Sequence, residues 1–189
     1  MCHALLQNPN FFRLLLQIDI DLAAETRTVG CQCGGALHRA NYPHKPRCCL
    51  EEARADFESR FSFCCNRCRK RATSVSVRFL GRRVYLGLAV VLMSAGRARS
   101  ASAVAQLGET LGVPARTIQR WRRWWVARFP LTPLWRAACA RFMPPIDLSL
   151  LPDSLIECFL GAAEESMRRL LLFLTPLTVG RPATLNEGG

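Results

Sequence analysis

Two clusters of closely spaced cysteines, an apolar pattern at helical spacing around residues 104–121, and an apolar stripe over residues 153–174 together predict the fold class. It is mainly α with a small β zinc ribbon. The ribbon is N-terminal, a helix-turn-helix follows it, and an amphipathic helix comes last. Residues 1–28 read as an N-terminal helical segment and 29–80 as the ribbon with an inserted loop. Residues 81–130 read as the helix-turn-helix module, 131–177 as a C-terminal helical region, and 178–189 as a disordered tail.

In chain order, residues 10–18 form a short apolar run that predicts a helix docked on the body. The first cysteine cluster is Cys31-Gln32-Cys33-Gly34-Gly35 and the second is Cys64-Cys65-Asn66-Arg67-Cys68. A tetrahedral metal ion takes two thiolates from each of two tight turns, and glycine lets the backbone curl around it. Cys31, Cys33, Cys65 and Cys68 are therefore the expected ligands of one structural zinc ion. The inserted stretch carries His38, His44, Cys48 and Cys49, and Cys64 adjoins the second pair, so each of these stands as an alternative ligand. Short strands are expected around 36–42, 60–63 and 73–79. Four thiolates would leave no coordination position for a catalytic water.

The helix-turn-helix rests on Val104, Leu107, Leu111, Val113, Ile118 and Trp121, which fall where two crossed helices share a core. Gly108 sits at the closest approach of those helices. Gly112 sits in the turn, where positive φ favours glycine. Pro114 suits the start of the second helix. Arg116, Thr117, Gln119 and Arg120 are left for its outer face, with side chains able to reach base edges. Arg122, Arg123, Arg82 and Arg83 are placed for phosphates. The second helix should run through Trp121, Trp124 and Trp125 to Phe129, its tryptophans packing the core, and stop at Pro130. A single amphipathic helix from Asp153 to Leu174 carries Leu155, Ile156, Phe159, Leu160, Met167, Leu170, Leu171 and Leu174. That face can close the chain's own core or pair two copies into a homodimer.

The formal net charge is +12, and it is localised. Residues 60–136 hold sixteen Lys or Arg and one acid, Glu109, while the rest of the chain is close to neutral. A contiguous basic block is the footprint of a polyanionic partner, here double-stranded DNA.

The segment from Val104 to Trp121 resembles the helix-turn-helix of bacterial DNA-binding proteins, including the N-terminal regions of insertion-sequence transposases. The segment from Val29 to Leu80 resembles the zinc ribbons that precede such helices in insertion-sequence proteins. The resemblance implies sequence-specific binding of duplex DNA by a transposase-associated or accessory protein of a mobile element, acting alone or with a separate transposase. The alternative is a zinc-ribbon module for protein interaction or transcriptional regulation. A thiol redox pair of Cys65 and Cys68 is a third reading.

Independent catalysis is not expected. The acids after the helix-turn-helix, Asp147, Asp153, Glu157, Glu164 and Glu165, lie in helix and loop, with too little chain for a nuclease sheet. There is no secretory leader pattern and no apolar stretch long enough for a bilayer. The expectation is a cytoplasmic protein that associates with the bacterial nucleoid when bound to DNA.

Overall fold

A computed structural model describes residues 2–80, 85–96, 108–109 and 111–179. Among these residues the chain is mainly helical, with two small antiparallel sheets. Residues 180–189 of the expected tail, residues 81–84 and most of the expected first helix of the helix-turn-helix lie outside the described residues, whereas Thr178 is ordered in a 3-10 turn (Thr175–Thr178) and its Oγ1 accepts from the Ser76 N–H.

Helix α1 (Pro9–Val29) opens at Asn8, whose side-chain oxygen accepts from the backbone N–H of Asn10 and Phe11. Such a cap satisfies donors that the first helical turn leaves free. Pro9 fits the first turn because it has no N–H to satisfy. The helix is much longer than the expected 10–18 segment. Phe11, Phe12, Leu15, Asp19 and Ala23 all point inward, mostly four residues apart, so one buried stripe continues through an aspartate. Gly30, at φ +76°, ends the helix.

A three-stranded sheet follows, in the order β1 (Leu37–Arg39), β4 (Ser62–Cys65), β5 (Arg71–Thr73). The first two strands pair Leu37 with Cys65, His38 with Cys64 and Arg39 with Phe63. The connection between them contains β2 (Tyr42–Pro43), paired with β3 (Ser59–Arg60), and the four-residue helix α2 (Arg54–Phe57). The third strand ends at Thr73 instead of continuing to residue 79. Ser74, Ser76 and Arg78 instead turn inward and are buried.

Helix α3 (Gly87–Ser94) is buried at every position, which explains its unbroken apolar sequence. It packs against the N-terminal 3-10 turn Cys2–Gln7, against α4 (Ala115–Ala127) and against α7 (Ala163–Leu174). Between the last two lie α5 (Pro133–Ala138) and α6 (Asp153–Glu157). The single C-terminal helix expected over 153–174 is instead two. The break lies at Gly161, with φ +131°, and leaves Leu160 78% exposed. Leu155, Met167, Leu170, Leu171 and Leu174 enter the chain's own core, so most of the expected apolar face packs within the chain.

That core runs from Leu5 to Leu174. It includes an aromatic series in which Trp125 lies 5.0 Å from Phe129, Phe129 5.3 Å from Trp135 and Trp135 5.7 Å from Phe142. A second, much smaller core joins Ala23 of α1 to Leu37, Phe63 and Cys65 of the sheet.

Asp19 and Arg78 link the two cores. Arg78 Nε donates to Asp19 Oδ2 at 2.7 Å, and both side chains are essentially inaccessible. Ser76 Oγ and the Val77 N–H complete the carboxylate's partners. Arg78 Nη1 and Nη2 donate to the carbonyls of Asp56 and Ser59. Its guanidinium carbon lies 4.7–5.1 Å from the ring centres of Phe57, Phe61 and Phe79. A buried charge is tolerable when paired and hydrogen-bonded in this way. Arg60 is also buried and donates to the carbonyls of Ser74 and Thr178. Two members of the basic block are therefore structural cations and add little to the surface.

Candidate metal centre and basic helix

The two cysteine clusters meet at one end of the three-stranded sheet. Cys31 and Cys33 come from the loop between α1 and β1, while Cys65 ends β4 and Cys68 follows in the next turn. The sulfur of Cys31 lies 3.5 Å from that of Cys68 and 3.5 Å from that of Cys33, and Cys33 lies 3.4 Å from Cys65. All four sulfurs fall within 4.8 Å of one another. Metal–sulfur bonds of ~2.3 Å in a tetrahedron require sulfurs ~3.8 Å apart, so this set can hold a metal ion.

The surrounding backbone fits that use. The Cys68 N–H lies 3.5 Å from Cys65 Sγ, and the Arg69 N–H donates to the Cys65 carbonyl at 3.1 Å. Arg69 itself takes φ +59°, closing the turn. In the first loop the Gly34 N–H donates to the Cys31 carbonyl at 2.8 Å, with Gly34 at φ +75°. A Cβ on Gly35 would lie 2.5 Å from Cys65 Sγ and 2.8 Å from Arg67 Cβ. Glycine at 35 therefore keeps the two loops close enough for the four sulfurs to converge.

Two of the thiols are shifted in opposite directions. The backbone N–H of Cys68 brings Cys65 down to about 6, outweighing the opposing effect of burial. The Cys33 N–H favours the Cys31 thiolate, but shared hydrogen bonds with Cys33, Cys68 and Cys65 leave Cys31 pushed up to about 12.

The alternative ligands lie elsewhere. Cys64 sits next to Cys65 on a strand, where successive side chains point to opposite faces. Its sulfur faces the carbonyls of Cys65 and Arg69. Cys48 belongs to the main core, and burial pushes its thiol up to about 12. Burial likewise pushes Cys49 up to about 11. His38 is exposed on β1. His44 stacks on Phe79 with ring centres 4.3 Å apart. Among the described residues only Cys31, Cys33, Cys65 and Cys68 form a ligand cluster.

The second candidate surface is α4. Gly108 and Glu109 are helical, and the Val113 N–H closes onto the Gly108 carbonyl at 2.7 Å. A Cβ on Gly108 would meet the Val113 carbonyl at 2.9 Å, so this crossing requires a residue without one. Gly112 has φ +63°, as the turn demands. Val104 and Leu107 lie outside the described residues. Ile118, Trp121, Trp124 and Trp125 are buried along one side of α4.

Arg116, Gln119, Arg120 and Arg123 are exposed along the opposite side. Their spacing of three and four residues puts them on one face. Two assignments change. Thr117 is only 8% exposed because it shares the inner face with Ile118 and Trp121, so it cannot contact DNA in this arrangement. Arg122 is half-buried and its Nε donates to the Ser94 carbonyl at 3.2 Å, at the end of α3. Its Nη2 is buried with no partner among the described residues. Arg122 therefore packs between helices instead of facing a phosphate. Arg82 and Arg83 lie outside the described residues.

No described helix is long and apolar enough to cross a membrane. Comparison with protein-family models, curated proteins and solved structures finds no match to this chain.

Proposed function

We propose that the chain binds double-stranded DNA sequence-specifically through the outer face of α4, and that the four cysteines hold one structural zinc ion. The reading is that of a zinc ribbon followed by a helix-turn-helix. The observation that carries DNA binding is the row Arg116, Gln119, Arg120 and Arg123. It is exposed and has no hydrogen-bond or ionic partner among the described residues. The row starts at the N-terminal end of a helix anchored by three buried tryptophans. In helix-turn-helix proteins this end enters the major groove. Arginine and glutamine offer paired hydrogen bonds to guanine and adenine edges. An all-thiolate tetrahedral set suits zinc, which would supply a closed, non-redox cross-link between the two loops. The role as a transposase-associated or accessory protein of a mobile element rests on the resemblance of Val29–Leu80 and Val104–Trp121 to insertion-sequence proteins.

Selection of a preferred duplex from random sequence, followed by titration of variants, tests the reading. Arg116→Ala or Gln119→Ala should cost about 1–3 kcal/mol on the selected site and little on random duplex. Arg123→Ala should weaken both alike and make the log–log salt slope shallower by roughly one unit. Equal loss on both duplexes for Arg116→Ala and Gln119→Ala would remove the groove-reading assignment. No effect from any of the three would favour a protein-interaction module.

A further inference from the structure

Helix α1 does not cover the whole inner face of the three-stranded sheet. At the cysteine end, Ala23 closes against Leu37, Phe63 and Cys65. Beside this contact α1 and the sheet border an open cleft of about 510 Å3, which Ala23 and Phe63 also line. Its helix side carries Ile20, Ala24 and Arg27, and its sheet side carries Arg39, Asn41 and Phe61.

The chemistry of this lining is one-sided. Ile20 is 43% exposed, and Phe61 is half-buried, so an apolar wall remains uncovered. Arg27 and Arg39 are exposed, and their guanidinium groups have no ion pair or hydrogen bond among the described residues. No carboxylate lines the cleft. Asn41 Oδ1 accepts from the Ser62 N–H at 3.2 Å, which holds the carboxamide and leaves its amino group as a donor. The polar side chains that converge here from both walls are mainly donors, two of them charged. The volume falls within the roughly 300–1,000 Å3 of small-molecule sites.

We infer that this cleft binds a small amphipathic anion, one carboxylate or phosphate group on a compact apolar body. Arg27 and Arg39 take the anion, Asn41 orients it, and Ile20, Ala24 and Phe61 cover the body. A neutral apolar ligand would leave both cations unpaired, and a simple inorganic anion would leave the apolar wall wet. The site is separate from the α4 face and does not depend on DNA binding.

Calorimetric titration of the full, metal-loaded chain with octanoate and with phenyl phosphate tests the inference, with octanol as the uncharged control. At least one anion should bind, and octanol should bind at least tenfold more weakly than octanoate where octanoate is the ligand. Binding of octanoate alone identifies an aliphatic body, and of phenyl phosphate alone an aromatic one. The double variant Arg27→Gln, Arg39→Gln should lose at least tenfold in affinity. Ala24→Phe, at an exposed helix position, should fill the cleft and abolish binding while metal content and helical circular dichroism stay unchanged. The inference is overturned if neither anion binds, if octanol matches octanoate, or if both variants bind like the parent.

Discussion

The cysteine-bearing sheet and the helical body achieve order by different means. The body buries an aromatic and aliphatic core reaching from Leu5 to Leu174, with α3 wholly enclosed. The sheet has only Ala23, Leu37, Phe63 and Cys65 at its centre. Each fully buried large apolar side chain contributes roughly 1.5–3 kcal/mol, so the body has ample driving force and the sheet has little. A small module of this kind needs a cross-link, and the four converging sulfurs are placed to supply it.

The sharpest way to break this comparison is to remove the proposed metal. Metal binding in small thiolate domains is worth on the order of 10 kcal/mol and is expressed as folding energy. Chelation of metal-loaded protein should abolish hydrogen-exchange protection in β1, β4 and β5 while α3, α4 and α7 remain protected. Simultaneous loss of protection in both regions would show a single cooperative unit and end the distinction.

Trp125→Ala should do the reverse. Trp125 is fully buried among Trp124 and Phe129, and truncating such a side chain costs about 3–5 kcal/mol. Urea denaturation should register that loss in the body, while metal content of the folded protein stays at the parental value. A metal-depleted folded variant would mean that the sheet depends on the body's packing.

Arg78→Met tests the joint between them. It leaves the Asp19 carboxylate buried without its cation, an imbalance that costs about 3–5 kcal/mol. The companion change Asp19→Leu should recover much of it if charge, not shape, is responsible. Failure of the double variant to recover stability would assign the role to the hydrogen bonds that the pair makes with Ser76, Val77, Asp56 and Ser59.

Gly35→Ala should act only on the sheet. The added Cβ must displace Cys65 Sγ, and disturbances beside a ligand cost about 10–100-fold in metal affinity. Competition with a metallochromic chelator measures this, and an unchanged affinity would show that the two loops can move apart freely.

The smallest effect concerns pH. Burial, then the charges of Arg60 and Arg78, hold His44 below its ordinary value of 6.5. The unfolded chain therefore takes up this proton first. This contribution to stability is present above pH 6.5 and declines as pH falls from 6.5 towards the folded value. His44→Phe keeps an aromatic ring against Phe79 and should flatten that part of the stability profile. An unchanged slope would place the pH dependence on other groups.

Much of the two candidate sites was legible because local rules govern them. Cysteine spacing and adjacent glycines mark turns that point sulfurs inward, and the four expected ligands are the four that converge. Gly108, Gly112 and Pro114 mark a turn whose φ and close approach only certain residues allow. The buried tryptophans of α4 follow from helical periodicity. Thr117 and Arg122 sit differently from the sequence expectation for a related reason. Residue type suggested contact with DNA, but the apolar arc of α4 is wide enough to include Thr117, and Arg122 reaches the carboxyl end of α3.

The sequence by itself determined the turns, the four cysteines that converge and the apolar stripes, since these depend on neighbours within a few positions. The end of α1 at Gly30 and the break at Gly161 are local as well, while tertiary structure alone decided which charges the fold buries. Asp19 looks like the polar end of an apolar run until Arg78, 59 residues away, arrives to pair with it. The cleft beside Arg27 and Arg39 likewise exists only because the fold sets α1 beside the sheet. Long-range pairing sets which charges are buried and which stay free, and no local pattern encodes the distance between two elements.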